Sequence, residues 1–137
     1  MPDQTAMRCA ALCIFSAVFI FLVSIPASAQ MAVPKAKPVS GEKLFGQQCG
    51  ACHATKAGET RVGPSLAGII GRKAASQRGY RYSPALKKSR LTWTRDNMDK
   101  WLTNSGTTVR GTTMVYLQAD AAKRRAIIDY LGTLPAQ

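Results

Sequence analysis

The sequence is poor in the side chains that most often build protein sites. Its 137 residues include one histidine and four cysteines. Two of the cysteines, Cys9 and Cys13, fall in an apolar N-terminal segment, which leaves Cys49 and Cys52 for a folded domain beyond it. Two thiols cannot build a network of cross-links, so the sequence excludes a disulfide-stabilised scaffold.

Acidic residues are also scarce: seven Asp and Glu stand against 19 Lys and Arg, for a net charge of +12. A field of this sign attracts acidic surfaces, which occur on proteins, anionic membranes and nucleic acids. No nucleic-acid-binding motif and no long basic run accompanies the charge, so nucleic acid is the least favoured of the three. We expect protein partners with acidic docking surfaces and no nucleic-acid partner.

The one long apolar run lies near the N-terminus, over residues 9–25 (CAALCIFSAVFIFLVSI). Arg8 precedes it, and Pro26 and the small-residue sequence Ala27-Ser28-Ala29 follow it. This order is typical of a cleaved secretory signal. We expect residues 1–29 to be a signal peptide that exports the chain, most simply to a bacterial periplasm. A retained membrane anchor is the alternative, for which 17 residues are near the lower limit of length.

Residues 30–40 contain two prolines and no apolar period, which indicates a linker, and residues 41–137 are expected to form one domain. Ser40, Ser83 and Thr94 are suitable helix N-caps. They predict helices over about 41–48, 84–88 and 95–103, and apolar spacing predicts a last helix over about 121–131 that stops at Gly132. The inward-facing residues of these helices would be Leu44, Phe45, Met98, Trp101, Leu102, Ile127, Ile128 and Leu131.

Long loops join these segments. Four glycines and a proline interrupt residues 54–72, and residues 104–113 are expected to be a flexible stretch. No period-2 pattern indicates strands, so the predicted class is all-α, with a few short helices. Loops of this length in a small domain suggest that something other than protein fills its centre.

The motif that carries chemistry is Cys49-Gly50-Ala51-Cys52-His53, the attachment signature of a c-type haem. Two thiols at this spacing add across the two vinyl groups of one porphyrin, and the adjacent imidazole then lies where it can bind iron. Three alternatives use the same residues. A redox dithiol usually lies in a βαβ unit, a zinc site would need carboxylates because His53 is the only histidine, and an isolated disulfide remains open.

An electron-carrying haem iron needs a second axial ligand, and methionine sulfur is the natural one once His53 is used. Met31 is close to the attachment site, in the linker. Met98 falls on the apolar face of a predicted helix, where packing is the simpler interpretation. Met114 lies 61 residues after His53, far enough for the chain to wrap the haem and return on its other face. Met114 is therefore the predicted second ligand.

From Gly41 to Leu131 the chain resembles the class I, mitochondrial-type cytochrome c family, and its bacterial branch in particular. The matching segments are GEKLF, CGACH, VGPSLAGIIGRK, GYRYS, LTW, GTTM and IIDYL. The resemblance implies the cytochrome c fold, wrapped around one haem c bound through Cys49 and Cys52. It also implies that the Pro64 carbonyl orients His53 and that five further residues surround the haem propionates: Arg72, Tyr82, Ser83, Trp93 and Thr112.

Together these observations predict a soluble, monomeric one-electron carrier and not an enzyme, because protein ligands fill both axial positions of the iron. Exposed lysines would steer acidic redox partners to it, namely Lys56, Lys73, Lys87, Lys88 and Lys100. Two alternatives stay open at this point. One is an electron-transfer subunit of a fixed oxidoreductase complex or a membrane-anchored cytochrome, and the other is an enzyme or gas sensor with five-coordinate haem.

Overall fold

The computed structural model describes residues 39–136 of the chain. The expected signal peptide, most of the expected linker and Met31 lie outside this range. Five α-helices occur within it, and the loops between them make up the larger part of the domain. The helices are α1 (Gly41–Gln48), α2 (Pro84–Lys88), α3 (Arg95–Thr103), α4 (Ser105–Thr108) and α5 (Ala121–Thr133).

The first and last helices cross in close contact. Ser40 caps α1 by accepting a hydrogen bond from the Lys43 amide, as the sequence predicts. At the crossing, a β-carbon on Gly41 would collide with the Ala126 carbonyl of α5, so this position requires glycine. One turn further on, the rings of Phe45 and Tyr130 lie 5.5 Å apart. The crossing therefore fixes the start of the segment that carries Cys49.

Helix α3 supplies the other wall of the core. Thr94 caps it through the Asn97 amide, and the predicted inward residues Met98, Trp101 and Leu102 are all buried. Trp101 meets Trp93 edge to face, with ring centroids 5.2 Å apart. The predicted burial of Leu44 and Phe45 on α1, and of Ile127, Ile128 and Leu131 on α5, is likewise confirmed.

Two details differ from the sequence-based prediction. Residues 105–108 form the short helix α4 inside the stretch expected to be flexible, because the Asn104 side chain caps it by accepting from the Thr107 amide. Helix α5 also continues through Gly132 to Thr133. Its end is set by Pro135, which disfavours the helical conformation at Leu134.

The loops carry almost no regular structure, as expected. Within the described range, the only β-pairing is one isolated antiparallel bridge between Lys73 and Thr92. None of the helices in residues 39–136 combines the length and the apolar character needed to cross a membrane. The all-α class is confirmed, and the loops around residues 53–72 and 109–118 enclose a cavity next to α2 and α3.

Candidate cofactor site

The attachment motif forms a tight turn directly after α1. Cys49 is the C-cap residue of that helix, and its carbonyl accepts hydrogen bonds from the amides of Cys52 and His53 at 3.0 and 2.8 Å. The turn leaves Cys52 exposed and Cys49 half-buried, while His53 is directed inward and is 9% exposed as a residue. Two thiols and one imidazole are thus held by a rigid local structure.

The ring of His53 has a defined orientation. Its Nδ1 lies 2.8 Å from the Pro64 carbonyl oxygen, which can only accept, so Nδ1 carries the proton and donates it. Burial lowers the pKa of His53, and the bond to Pro64 opposes that change only in part. The ring is therefore neutral near pH 7, and Nε2 keeps the free electron pair that a metal ligand needs.

A cavity of about 400 Å³ lies beside this ring. Its walls are mainly apolar, and nine of the ten predicted site residues contribute to them. Cys49 does not line the cavity and instead packs at the edge of the hydrophobic core. The nine predicted residues in the wall are Cys52, His53, Pro64, Arg72, Tyr82, Ser83, Trp93, Thr112 and Met114.

Arg72 brings a half-buried positive charge to the cavity wall. Its two terminal nitrogens donate to the carbonyls of Ala67 and Ser65 at 3.0 and 2.9 Å. Its Nε is buried and has no hydrogen-bond partner. Burial also lowers the pKa of Arg72 and raises that of its neighbour Tyr82. An unpartnered guanidinium nitrogen at a cavity wall fits an acidic group of a ligand.

Met114 lies in the same wall, half-buried, at the start of an extended segment. The alternative methionine of the described range, Met98, is 4% exposed in the core and does not line the cavity. The structure therefore brings the thioether of Met114 and the imidazole of His53 to one cavity and leaves Met98 as a packing residue.

The donor set fits a haem c group. The apolar walls suit a macrocycle, the thiols suit its vinyl groups, the imidazole and thioether suit iron, and the free Arg72 Nε suits a propionate. The zinc alternative gains no ligands, because no three His, Cys, Asp or Glu side chains of residues 39–136 come together in a metal-binding group.

Several residues that shape the site carry no signal in the sequence. Ser105 hydrogen-bonds the backbone around Met114, and Gln48 accepts hydrogen bonds from the side chains of Tyr116 and Gln118 at 2.6 and 2.9 Å. The partners of Gln48 are 68 and 70 residues away along the chain. Hydrogen bonds between residues so far apart form only when the chain around Tyr116 returns to α1, so no local sequence pattern predicts them.

Comparison with known proteins gives a consistent result. A family profile for cytochrome c matches residues 38–135. The chain is 42% identical over 104 residues to a cytochrome c2 of Rhodopila globiformis, covering 75% of this chain and 98% of that protein. It is 43% identical over 89 residues to a cytochrome c2 iso-2 of Magnetospirillum molischianum, covering 63% and 90%. The structure of cytochrome cH from Methylobacterium extorquens superposes with a TM-score of 0.63 at 43% identity, covering 68% of this chain and 94% of that one.

Proposed function

Because this chain belongs to the cytochrome c family, whose cofactor is a covalent haem c bound here through Cys49 and Cys52, we propose that it is a one-electron carrier with His53 and Met114 as axial ligands. The observation that carries the proposal is that His53, Cys52 and Met114 line the same cavity. When bound, the haem iron supplies the exchange of one electron between its ferric and ferrous states.

Each protein ligand has a definable role. His53 presents Nε2 because Pro64 holds the Nδ1 proton. Met114 presents a thioether, a soft and uncharged donor that favours the ferrous state and raises the reduction potential relative to two imidazole ligands. With His53 and Met114 both bound to the iron, no coordination position would remain for a substrate, which supports a carrier and argues against an enzyme.

Polar residues at the cavity wall would hold the acidic edge of the cofactor. Arg72 offers its free Nε, and Tyr82 and Thr112 offer hydroxyls. The oxygen of Ser83 already accepts from the Leu86 amide as a helix cap, so its hydroxyl hydrogen is the part available to the ligand. Trp93, which is buried, would donate its indole N–H to the same acidic edge of the cofactor.

The proposed function also includes a division of the chain into three parts. Residues 1–29 would be a signal peptide removed on export to the periplasm, residues 30–40 a linker, and residues 41–137 the carrier domain. The mature protein would then act as a soluble monomer. The proposed signal and most of the linker are outside the described residues, so this part rests on the sequence.

The proposed partners are redox proteins with acidic docking surfaces. The protein carries a charge of +12, and the five lysines named as steering residues are all exposed in the structure. Long-range attraction of this kind accelerates encounter while leaving the contact itself weak, which suits a shuttle that must also dissociate.

One observation favours a second candidate function, the fixed subunit of an oxidoreductase complex. Val62 and Val115 line the mouth of the cavity and are 77% and 91% exposed, and Leu117, two residues further on, is 65% exposed. An apolar surface beside the cofactor suits a permanent contact that buries it.

The proposal is tested on the protein exported by its own host or by a bacterium that matures c-type haem. Mass spectrometry should show one haem added to the chain, and the haem should stay with the protein through acid–organic extraction. The oxidised and reduced absorption spectra should be those of low-spin, six-coordinate iron. Free thiols without added haem mass would overturn the proposal, and a high-spin spectrum would favour the five-coordinate enzyme or gas sensor.

A further inference from the structure

Ser105 is a completely buried polar residue at the start of α4, with 0% of its surface exposed. It does not line the cavity. A buried hydroxyl is costly unless it is hydrogen-bonded, so the partners of Ser105 indicate what holds it inside.

The partners of the Ser105 hydroxyl all belong to the Met114 segment, the extended stretch of residues 114–119. The Ser105 hydroxyl donates to the Met114 carbonyl oxygen at 2.7 Å and accepts from the Tyr116 amide at 2.9 Å. The Ser105 amide in turn donates to the Tyr116 carbonyl at 3.1 Å. Ser105 thus holds the backbone amide and carbonyl of Tyr116 and the carbonyl of Met114 at the start of α4.

Other bonds hold this segment further along. The Gln118 amide donates to the Leu102 carbonyl at 2.9 Å, and Arg124 donates to the Gln118 and Ala119 carbonyls. Among the side chains of the described residues, however, only that of Ser105 hydrogen-bonds the backbone of Met114 itself. Without the Ser105 hydroxyl, no side-chain hydrogen bond would hold the backbone at Met114, the residue that carries the sulfur.

We propose that Ser105 is a positioning residue that keeps the Met114 sulfur in place on the iron. This inference rests on the proposed ligation by Met114. Ser105 does not touch the cofactor site and acts through the backbone of its neighbour. Without the hydroxyl, the Met114 carbonyl and the Tyr116 amide lose their partner, and the closed arrangement of the segment is disfavoured relative to an open one.

The chain contains a matched control. Ser65 is also 0% exposed, and its hydroxyl donates to the Lys56 carbonyl at 2.7 Å and accepts from the Ala67 amide at 3.1 Å. Ser65→Ala therefore removes the same two kinds of hydrogen bond from an equally buried site, and none of the partners is on the Met114 segment. Any difference between the two variants reports on position and not on loss of a buried serine.

The test is titration of the oxidised, haem-loaded protein with imidazole, which competes with the Met114 sulfur for iron. We expect Ser105→Ala to bind imidazole about 5- to 100-fold more tightly than the unchanged protein. This range corresponds to the cost of leaving a buried polar group without its hydrogen-bond partner. Ser65→Ala should remain within about 2-fold of the unchanged protein. Equal effects of the two variants would overturn the proposal.

Met114→Ala separates this inference from the ligand assignment. If that variant keeps the sulfur-to-iron absorption band, Met114 is not the ligand and the proposed function is wrong at that point. If the band is lost in Met114→Ala but imidazole affinity is unchanged in Ser105→Ala, the ligand assignment stands and the role of Ser105 is wrong.

A measurement on the unchanged protein covers the case in which Ser105→Ala does not fold. When imidazole displaces the sulfur, hydrogen exchange of the Tyr116 amide should accelerate by about 10-fold or more, because its bond to Ser105 opens with the segment. The Ala67 amide, bonded to Ser65, should keep its protection. A Tyr116 amide that stays protected after displacement would show that the two are not coupled and would overturn the proposal.

Discussion

Gly63 lies against the imidazole of His53 so closely that a β-carbon at this position would collide with three atoms of the ring. The next residue, Pro64, accepts the hydrogen bond from Nδ1 of the same ring. Two consecutive residues therefore fix His53, one by close contact and one by a polar bond. The sequence requirement for glycine here is steric and does not depend on a positive φ angle.

The first prediction follows from that contact. Gly63→Ala should displace the His53 ring or the loop, because the new methyl group meets a buried ring and not a flexible side chain. We expect a loss of unfolding free energy of about 1–3 kcal/mol, the usual range for overpacking, and an altered haem spectrum. Denaturant unfolding and absorption spectra of the haem-loaded protein measure both effects.

Gly46 provides the control for this substitution. It lies in the interior of α1, where an added β-carbon would have no neighbouring atom within 4 Å. Gly46→Ala should therefore increase stability by about 0.5–1 kcal/mol through helix propensity and leave the spectrum unchanged. An unchanged spectrum in both variants would show that Gly63 does not govern the orientation of His53.

The second prediction concerns Met114, the proposed axial ligand. Met114→Ala should abolish the weak sulfur-to-iron band at the red end of the oxidised spectrum and lower the reduction potential, because the thioether favours the ferrous state. Met98→Leu conserves volume at a core position, and should leave both quantities nearly unchanged. Loss of the band in Met98→Leu alone would reverse the ligand assignment.

Much of this architecture could be predicted because its determinants are local. Ser40, Ser83 and Thr94 cap the helices that their positions indicate, and the resemblance to cytochrome c is confirmed by the family profile. The attachment motif needs only five consecutive residues. These features depend on spacing along the chain, which a sequence displays directly.

The parts that could not be predicted depend on closure of the loops. Residues 104–113 are rich in glycine and threonine, a pattern that favours a flexible segment. The Asn104 cap nevertheless stabilises the short helix α4 there. The bonds of Ser105 and Gln48 form only after the Met114 segment returns to the domain. Sequence periodicity does not predict such contacts, so the hydrogen bonds that support the Met114 segment are evident only in the structure.

The third prediction concerns the charge of Arg72. Arg72→Gln removes a positive charge from the cavity wall. That charge repels oxidised iron more strongly than reduced iron, so its removal favours the oxidised state. The reduction potential should fall. Lys73→Gln removes an equal charge from the next residue, which is exposed, and should change the potential far less because water screens it. Electrochemical titration compares the two, and equal shifts would place the Arg72 charge outside the haem environment.

The fourth prediction concerns the partner surface. If acidic partners are steered by the +12 charge, the association rate should fall by about tenfold or more from low to moderate ionic strength. The reason is that exposed charges are screened beyond about 10 Å at 0.1 M salt. Replacing Lys87 and Lys88 by Gln should slow association and flatten this dependence, with little effect on the potential. Stopped-flow reduction by the native partner measures the rate.

The control and the competing result come from other parts of the same surface. The Nζ of Lys123, on α5, lies 3.8 Å from a carboxylate oxygen of Asp120, so Lys123→Gln removes a charge that is already partly neutralised. This variant should slow association less than Lys87→Gln or Lys88→Gln made singly. Val115→Ser tests the apolar alternative, because Val115 is 91% exposed at the cavity mouth. A rate that is flat across salt concentrations but falls in Val115→Ser would mean that apolar contact governs docking. In that case the fixed subunit would replace the free shuttle as the better account of this protein.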